Sequence, residues 1–337
     1  MIVTPSEEIP LSNSSLPYRL RPNKAVDREL FLSLLSWLSP ELSLRDYAYV
    51  GMGAEFLEDF RMLHARIGIT NMVSVECDEE VFKRQEFNKP LESITCVQNT
   101  IEEYLKKTTF ENPTIFWLDY TSPSELREQI EMFLTLADDC QIGSILRITL
   151  NANSACLGNP APGETSIKLD SSEHSPGTPL HNWRRLKFKD QLGPLYKKSV
   201  DASYMTAKKF GEGILEILRL SVDKEFKHSK TKEIIWTLST HYADGQPMVT
   251  ATAIITKKDD ARLKELVEKW EFYSTPECPL KLDLPALSTK ERIYLESNAT
   301  TGGDMDYRIP KGKLGQEPLE CFQKFYRVFP HFTRVDL

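Results

Sequence analysis

The stretch that decides the fold is Tyr47-Ala-Tyr-Val-Gly-Met-Gly-Ala-Glu-Phe56. A short apolar strand here runs into the turn Gly51-Met-Gly53, and a helix is predicted to begin near Glu55. Glycine lacks a Cβ, so its backbone can approach a ligand closely, and a helix N-terminus beside it favours anionic groups. The stretch therefore predicts a nucleotide-type cofactor site, with a tight structural turn as the alternative.

A carboxylate follows about twenty residues later, at the end of the next predicted strand. The run Val73-Ser-Val-Glu-Cys-Asp78 is apolar at first and places Glu76 at the strand end. An acid at this position can accept hydrogen bonds from two ribose hydroxyls. Polar residues also end the third and fourth strands: Gln98 and Asn99 after residues 94–97, and Asp119 and Tyr120 after residues 114–118.

Strand and helix patterns alternate five times between residues 45 and 150. Short connections of this kind require right-handed crossovers and a parallel sheet. Two further strand-like runs, 233–240 and 248–255, flank Asp244-Gly245, which indicates a hairpin. The prediction is an α/β protein with a mostly parallel seven-stranded sheet whose last two strands form an antiparallel hairpin.

The alternation breaks at Asn151, and this break sets the expected domain organisation. We expect an N-terminal arm and helix (1–44), an α/β domain (45–255) with an insertion (151–232), and a helical or irregular C-terminal extension (256–337). Residues 18–24 of the arm form a basic cluster with one aromatic residue. This cluster is either a solvated loop or a segment that folds over the cofactor cleft or reaches an anionic substrate.

Composition and charge restrict the class of protein. The 337 residues carry a net charge of −7, which argues against nucleic-acid binding over the whole surface but allows a local basic face. The six cysteines are scattered singly, and neither metal-ligand spacing nor a Ser-His-Asp pattern is visible. The N-terminus has no basic n-region, and no apolar run approaches the length of a membrane span. We therefore expect a cytoplasmic protein without a bound metal or membrane anchor.

Residues 183–210 combine positive charge with aromatic rings. They hold eight Lys or Arg residues against two acids, with five aromatic residues interleaved. One interpretation is an amphipathic insertion whose rings face the core and whose lysines face water. The other is a surface for a nucleotide, a nucleic acid or another polyanion on the acceptor side of the cleft.

The C-terminal tail is unusually aromatic, with Phe322, Phe325, Tyr326, Phe329 and Phe332 close together. So many apolar rings are not expected on a free tail. We expect the tail to pack on the domain, or on a protein partner or a second subunit.

This order of strands and motifs resembles the class I S-adenosylmethionine-dependent methyltransferases, over residues 45–255. The resemblance implies a Rossmann-like fold with S-adenosylmethionine as the cofactor. It places Gly51 and Gly53 at the cofactor turn and Glu76 on the ribose. It also places Gln98 or Asn99 on the adenine, and Asp119 and Tyr120 at the methyl-transfer face.

Methyl transfer from a sulfonium is an in-line displacement, so catalysis is mainly positioning, with removal of a proton where the acceptor requires it. Asp119 is placed for either task and could also bind the cofactor, and its structural alternative is to cap the next helix. Tyr120 is a candidate to stack on an acceptor ring.

Two departures from the family pattern leave the function open. Glu55 stands where the third glycine of the turn is usual, and Tyr49 stands where an acid usually helps hold the methionine end of the cofactor. Three functions therefore remain: a methyltransferase of unassigned acceptor, a catalytically silent binding or assembly subunit of the same fold, and an NAD-type oxidoreductase.

Overall fold

A computed structural model describes residues 21–161, 178–299, 303 and 305–329. In these ranges eight strands form one sheet in the order β3-β2-β1-β4-β5-β7-β6-β8. The strands are β1 (Ala48–Gly51), β2 (Asn71–Glu76), β3 (Ile94–Gln98), β4 (Thr114–Asp119), β5 (Ile145–Asn151), β6 (Lys232–Ala243), β7 (Pro247–Lys257) and β8 (Leu280–Leu282).

The first five strands are parallel, and β7 is antiparallel to both β5 and β6. The predicted α/β class, parallel core and antiparallel hairpin are therefore confirmed. The sequence prediction of seven strands was one short, because β8 pairs in parallel with β6 from within the C-terminal extension. A strand of three residues is too short to show a reliable period of two.

Ten helices connect or cover the strands in the described part of the chain. They are α1 (Pro22–Leu42), α2 (Glu58–Ile67), α3 (Glu79–Asn88), α4 (Ile101–Lys107), α5 (Leu126–Asp139), α6 (Pro179–Leu192), α7 (Phe210–Phe226), α8 (Ala261–Glu268), α9 (Thr289–Ser297) and α10 (Pro318–Phe325). None of these helices has the length and apolar character needed to cross a membrane.

Two hydrophobic clusters cover the two faces of the sheet. One contains the apolar side of α1 together with Phe322, Phe325 and Phe329 of the C-terminal tail. The other contains apolar residues of α5 and α7. The tail up to Phe329 thus packs on its own domain, and Phe332 lies outside the described residues.

Helix α1 lies against the sheet through an ion pair that is wholly enclosed. The Oδ2 atom of Asp27 accepts a hydrogen bond of 2.6 Å from Nη2 of Arg147, in the middle of β5. Both side chains are 0% exposed. The guanidinium of Arg147 also lies 4.8 Å from the ring centroid of Phe31 and 4.7 Å from that of Trp117. The pair therefore fixes α1 over the centre of the sheet.

Candidate functional site

The register of the parallel strands brings the predicted site residues to one edge of the sheet. Gly51 at the end of β1 pairs with Ser74 of β2 and with Trp117 of β4. Glu76 pairs with Gln98 at the ends of β2 and β3. Since these strands run in one direction, their carboxyl ends form the edge where open α/β sheets bind ligands.

The glycine turn is built for packing as well as for close approach. A Cβ on Gly51 would lie 2.5 Å from the hydroxyl of Tyr49, and one on Gly53 would lie 2.5 Å from Cδ2 of Leu57 and 2.8 Å from Oγ of Ser74. The amide of Gly53 also donates a hydrogen bond of 3.2 Å to that Ser74 hydroxyl. Both glycines are therefore required by neighbouring protein atoms, so a larger residue here would strain the fold itself.

Tyr49 occupies the position where the family usually has an acid. Its side chain is 1% exposed and packs edge to face on Phe60, with ring centroids 4.9 Å apart. A phenol in this position supplies no negative charge to the site at neutral pH. The position therefore holds a buried ring instead of a carboxylate.

Glu76, Gln98 and Asn99 lie along the β2–β3 side of this edge. The half-buried Glu76 accepts a hydrogen bond of 2.9 Å on Oε1 from the amide of Asp78. Gln98 is exposed, while the half-buried Asn99 accepts a hydrogen bond of 2.8 Å on Oδ1 from the amide of Thr100. One carboxylate and two amides are thus presented at neighbouring strand ends.

On the other side of the turn, Asp119 lies in a cluster of opposite charges. Its Oδ2 atom is 3.7 Å from Nζ of Lys24 and 3.5 Å from Nη2 of Arg28. Arg28 also binds Asp59 with two hydrogen bonds, of 2.6 Å and 3.2 Å. The basic residues come from the start of α1, and Asp59 comes from the first turn of α2. We call Lys24, Arg28, Asp59 and Asp119 the edge cluster.

Burial and charge act in opposite directions in the edge cluster. Burial raises the pKa of Asp119, but the charges of Lys24 and Arg28 outweigh it and hold that pKa below its usual range. Burial lowers the pKa of the Lys24 ammonium, and the attraction of Asp119 offsets this only in part. Asp119 is therefore an ionised carboxylate at neutral pH, which can accept hydrogen bonds but is a weak base.

Sequence reasoning missed Arg28 and Asp59 as members of this site. It did include Lys24, in the basic cluster predicted either to be solvated or to reach the cleft. Lys24 lies against Asp119 and is only 9% exposed, so the described end of that cluster reaches the edge. Residues 18–20 of the same cluster lie outside the described residues.

Tyr120 faces away from the edge cluster. Its ring is 6% exposed and belongs to the hydrophobic cluster that contains α5 and α7. Burial, reinforced by the charge of Glu102, raises the pKa of its hydroxyl. Little of the ring is open for stacking on an acceptor in this arrangement.

A cavity of about 310 Å³ lies beside the carboxyl end of β5. Its walls come from the segment after β4, from β5 and the turn after it, from α6 and from the start of α7. Polar contributions include Asn151, Asn153, Lys187 and Gln191. Since Asp119 pairs with Thr149 of β5, the cavity lies one strand away from the edge cluster.

The basic segment 183–210 is the outer wall of that cavity through Lys187, Gln191 and Phe210. Two of its five rings are core residues, because Phe188 is 0% and Phe210 3% exposed. Arg185 is also buried, at 7% exposed. The segment thus has the geometry of an amphipathic insertion, with some of its cations left at the surface.

No group of His, Cys, Asp or Glu side chains in the described ranges has the arrangement of a metal site. The six cysteines all lie in those ranges and are free thiols.

The parallel core, the antiparallel hairpin and the polar strand ends define a class I S-adenosylmethionine-dependent methyltransferase superfamily fold, as the sequence predicted. The model of the family described as "Putative O-methyltransferase" matches residues 16–337, and the chain belongs to that family. No curated protein sequence matches the chain.

Solved structures with a related sheet are distant in sequence. The plantazolicin methyltransferase BamL, in complex with a triazolic desmethylPZN analog and SAH, is 12% identical, with a TM-score of 0.36 over 70% of this chain and 87% of that one. The N-methyltransferase NodS from Bradyrhizobium japonicum WM9 is 10% identical, with a TM-score of 0.34 over 68% and 97%.

A protein described as a probable spermidine synthase, from Corynebacterium glutamicum ATCC 13032, is 12% identical, with a TM-score of 0.34 over 40% of this chain. The chain spans 50% of the length of that synthase. Likenesses at this level carry no argument about the substrate, which must be inferred from the site.

Proposed function

We propose that the chain is an S-adenosylmethionine-dependent methyltransferase. The observation that supports this most strongly is the order of functional groups along one sheet edge. Amides end β3, a carboxylate ends β2, and a cluster of paired opposite charges ends β4. S-adenosylmethionine carries an adenine, a ribose diol and a zwitterionic amino acid end in the same order, so the residues present fit this cofactor.

Each part of the cofactor has a candidate partner. The amides of Gln98 or Asn99 would contact the adenine, and Glu76 would accept hydrogen bonds from the ribose hydroxyls. At the other end, Lys24 and Arg28 would bind the carboxylate and Asp119 the amino group. In this assignment, charged residues of α1 and β4 take the role of the acid that the family usually has at the position of Tyr49.

When bound, the cofactor supplies an electrophilic methyl group, which forms a bond to the acceptor while the carbon–sulfur bond breaks and its electron pair stays on sulfur. The protein's own contribution is to orient the acceptor in line with that bond and to exclude water. Asp119 as a general base remains a second role within this proposal. Its lowered pKa favours a positioning role, because a carboxylate that holds protons weakly removes them poorly.

A catalytically silent binding subunit is the second candidate. The observation that favours it is Tyr49, whose ring fills the space beside Gly51 where the family usually has an acid. An NAD-type oxidoreductase is a weaker third candidate, because dinucleotide-binding sheets are mostly parallel and β7 is antiparallel to both of its neighbours. The six free thiols support the cytoplasmic location that we propose.

Thermal unfolding with S-adenosylmethionine, S-adenosylhomocysteine and NAD separates the three candidates. A ligand at 100 times its dissociation constant should stabilise the fold by about 2.7 kcal/mol if it binds only the native state. We expect stabilisation by both sulfur ligands and none by NAD. Stabilisation by NAD alone would support the third candidate, and no stabilisation by any of the three would count against both enzyme candidates and leave the second.

Substitution of Glu76 tests the ribose contact within this site. Glu76→Ala should weaken binding of S-adenosylhomocysteine by about 1.5–3 kcal/mol, the usual range for a hydrogen bond to a charged group. The control is Glu111→Ala, which removes the same charge from an exposed position before β4, at the opposite edge of the sheet. Equal calorimetric affinity in the two folded variants would remove Glu76 from the site.

A further inference from the structure

The described walls of the cavity beside β5 are partly apolar and partly polar, and they carry one charged group. Leu126, Leu157 and Phe210 supply apolar surface, while Asn151 and Gln191 supply amides. Among the described residues that line it, Lys187 is the one ionisable amine or guanidine group, and no Asp or Glu is present. A site with an apolar body and one cation suits a ligand with an apolar body and one anionic group.

The ammonium of Lys187 is available for such a group. It lies 5.3 Å from the centroid of the Trp183 ring, which holds it over an aromatic face. Lys187 makes no ion pair in the described ranges. Several other lysines within or at the end of a helix, by contrast, pair with an acid one turn away in that helix. Lys187 is exposed, and the described residues that line the cavity with it include no carboxylate, so its ammonium can pair with an anion bound there.

The amides at the base of the cavity are held in place by the backbone. Asn151 is 8% exposed, and its Nδ2 atom donates a hydrogen bond of 3.1 Å to the carbonyl of Thr121. The Nε2 atom of Gln191 donates one of 2.6 Å to the carbonyl of Pro123. Both bonds reach the segment after β4, so they connect the walls of the cavity to the strand that carries Asp119.

We propose that this cavity binds the methyl acceptor and that the acceptor is a small hydroxy acid. Its carboxylate would pair with Lys187, and a hydroxyl is the acceptor that the family's description as an O-methyltransferase suggests. That the ligand accepts a methyl group rests on the proposed function. The chemistry of the ligand, an apolar body with one carboxylate, is inferred from the cavity alone. The volume of about 310 Å³ is at the lower end of the range for small-molecule sites.

A nucleic acid is the competing occupant, and the geometry disfavours it. Stacking of bases needs exposed rings beside a continuous basic groove. In segment 183–210, Phe188 and Phe210 are enclosed in the core, and Nε of Arg184 donates to the carbonyl of Gly158. Two of the five rings are therefore unavailable for stacking on bases, and Arg184 is already engaged by the backbone.

The test compares hydroxy acids with their own carboxamides, which keep the size and shape of the acid but remove its charge. The probes are 4-hydroxybenzoate against 4-hydroxybenzamide and 6-hydroxyhexanoate against 6-hydroxyhexanamide, titrated by calorimetry with S-adenosylhomocysteine present. We expect at least one acid to bind about five to ten times more tightly than its amide, as for an accessible charge-assisted contact. Lys187→Met should abolish this ratio.

Lys198→Met is the matched control, because Lys198 is an exposed lysine of the same segment that does not line the cavity. It should retain the wild-type ratio. Protection from alkylation locates the ligand: Cys156 lines the cavity and is exposed, whereas Cys278 is exposed elsewhere. The bound acid should slow iodoacetamide modification of Cys156 several-fold and leave Cys278 unchanged.

The two proposals fail in different ways. Absence of S-adenosylhomocysteine binding, measured alone on the same samples, would overturn the proposed function whatever the acids do. Binding of S-adenosylhomocysteine with equal affinities for acids and amides, or with a ratio that survives Lys187→Met, would overturn the hydroxy-acid assignment alone. Single-stranded RNA binding that is lost in Lys187→Met and kept in Lys198→Met would also overturn it, in favour of a polyanion.

Discussion

Two ion-pair clusters hold the same helix, and they differ in what surrounds them. Asp27 of α1 and Arg147 of β5 are both 0% exposed, in the middle of the sheet. Lys24, one turn earlier in α1, and Asp119 have side chains that are 11% and 10% exposed, at the carboxyl edge. The charges are alike, so the difference between the two pairs is their exposure.

Hydrogen bonding separates the clusters further. Asp27 accepts from Arg147 on one oxygen and from the hydroxyls of Thr240 and Thr250 on the other. Arg147 donates in addition to the hydroxyl of Thr252, at 2.7 Å. The edge cluster has a looser contact, since Lys24 is 3.7 Å from Asp119. Both oxygens of Asp27 are thus paired within the protein, and of the Arg147 nitrogens only Nε has no hydrogen-bond partner in the described chain. The more exposed edge cluster is placed to exchange partners with a charged ligand.

The largest effect is expected when the enclosed pair is broken. Asp27→Ala leaves the guanidinium of Arg147 buried without its carboxylate, and should lower the free energy of unfolding by about 3–5 kcal/mol. Chemical denaturation monitored by circular dichroism measures this loss.

A double variant shows whether the loss comes from the unpaired charge. Asp27→Leu with Arg147→Met replaces both charges by apolar groups, and this should restore most of the stability. If the double variant were as unstable as Asp27→Ala, the pair would be contributing through its hydrogen bonds to the threonines and not through charge.

Sequence patterns were sufficient for most of the fold but not for these clusters. Continuous apolar runs bounded by turns identify β1 to β5, and strand ends follow from the first polar residue, which places Glu76 and Asp119. Pairing between α1 and the sheet depends on contacts more than a hundred residues apart in the chain, as between Asp27 and Arg147. The hydrophobic pattern of a single helix or strand does not reveal such distant contacts.

One signal for the enclosed pair was nevertheless present. Arg147 interrupts the apolar run Ile145-Leu146-Arg147-Ile148, and a charge in the centre of a parallel strand must find an acid inside the protein. The identity of that acid could not be read from the sequence, because α1 contains several. Arg28 and Asp59 were missed for the same reason, since charged residues in helices are usually solvated.

His241 of β6 sharpens the comparison, because it is a buried ionisable group without an ion-pair partner. It is 0% exposed, and neither ring nitrogen has a hydrogen-bond partner in the described part of the chain. Burial lowers its pKa to about 4, an effect that Glu212 and Asp283 oppose and Lys281 reinforces. The imidazole is therefore neutral in the folded protein at neutral pH.

Such a histidine makes the fold sensitive to acid. Above pH 6.5 it is neutral in both states and contributes no pH dependence. As the pH falls below 6.5 the unfolded chain takes up the proton first, so the free energy of unfolding should fall by about 2 kcal/mol by pH 5. His241→Gln should remove this part of the slope, and His228→Gln, at an exposed position, should keep it. If the free energy of unfolding depended on pH in the same way in both variants, the acid sensitivity would come from other groups.

The smallest effect on stability, and the most informative about function, is expected at Lys24. Burial lowers the pKa of its ammonium despite the attraction of Asp119, so the folded state disfavours the charged form. Lys24→Met keeps the length of the side chain and removes that cost. The free energy of unfolding should therefore change by less than about 1 kcal/mol, in contrast to the loss at Asp27.

The same Lys24→Met substitution should have a large effect on ligand binding. If Lys24 binds the carboxylate of the cofactor, Lys24→Met should weaken binding of S-adenosylhomocysteine about tenfold, or about 1.4 kcal/mol, with little loss of stability. Arg66→Met is the control. Arg66 of α2 pairs with Glu29 of α1, the helix that carries Lys24, at 2.9 Å and in a more exposed position. A Lys24 variant that is several kcal/mol less stable but binds the ligand normally would make the edge cluster a second structural pair. A Lys24 variant that is stable but binds the ligand weakly would give the two clusters different roles. The Asp27–Arg147 pair would then stabilise the fold, and the Lys24 ammonium, which is unfavourable for stability, would bind the ligand.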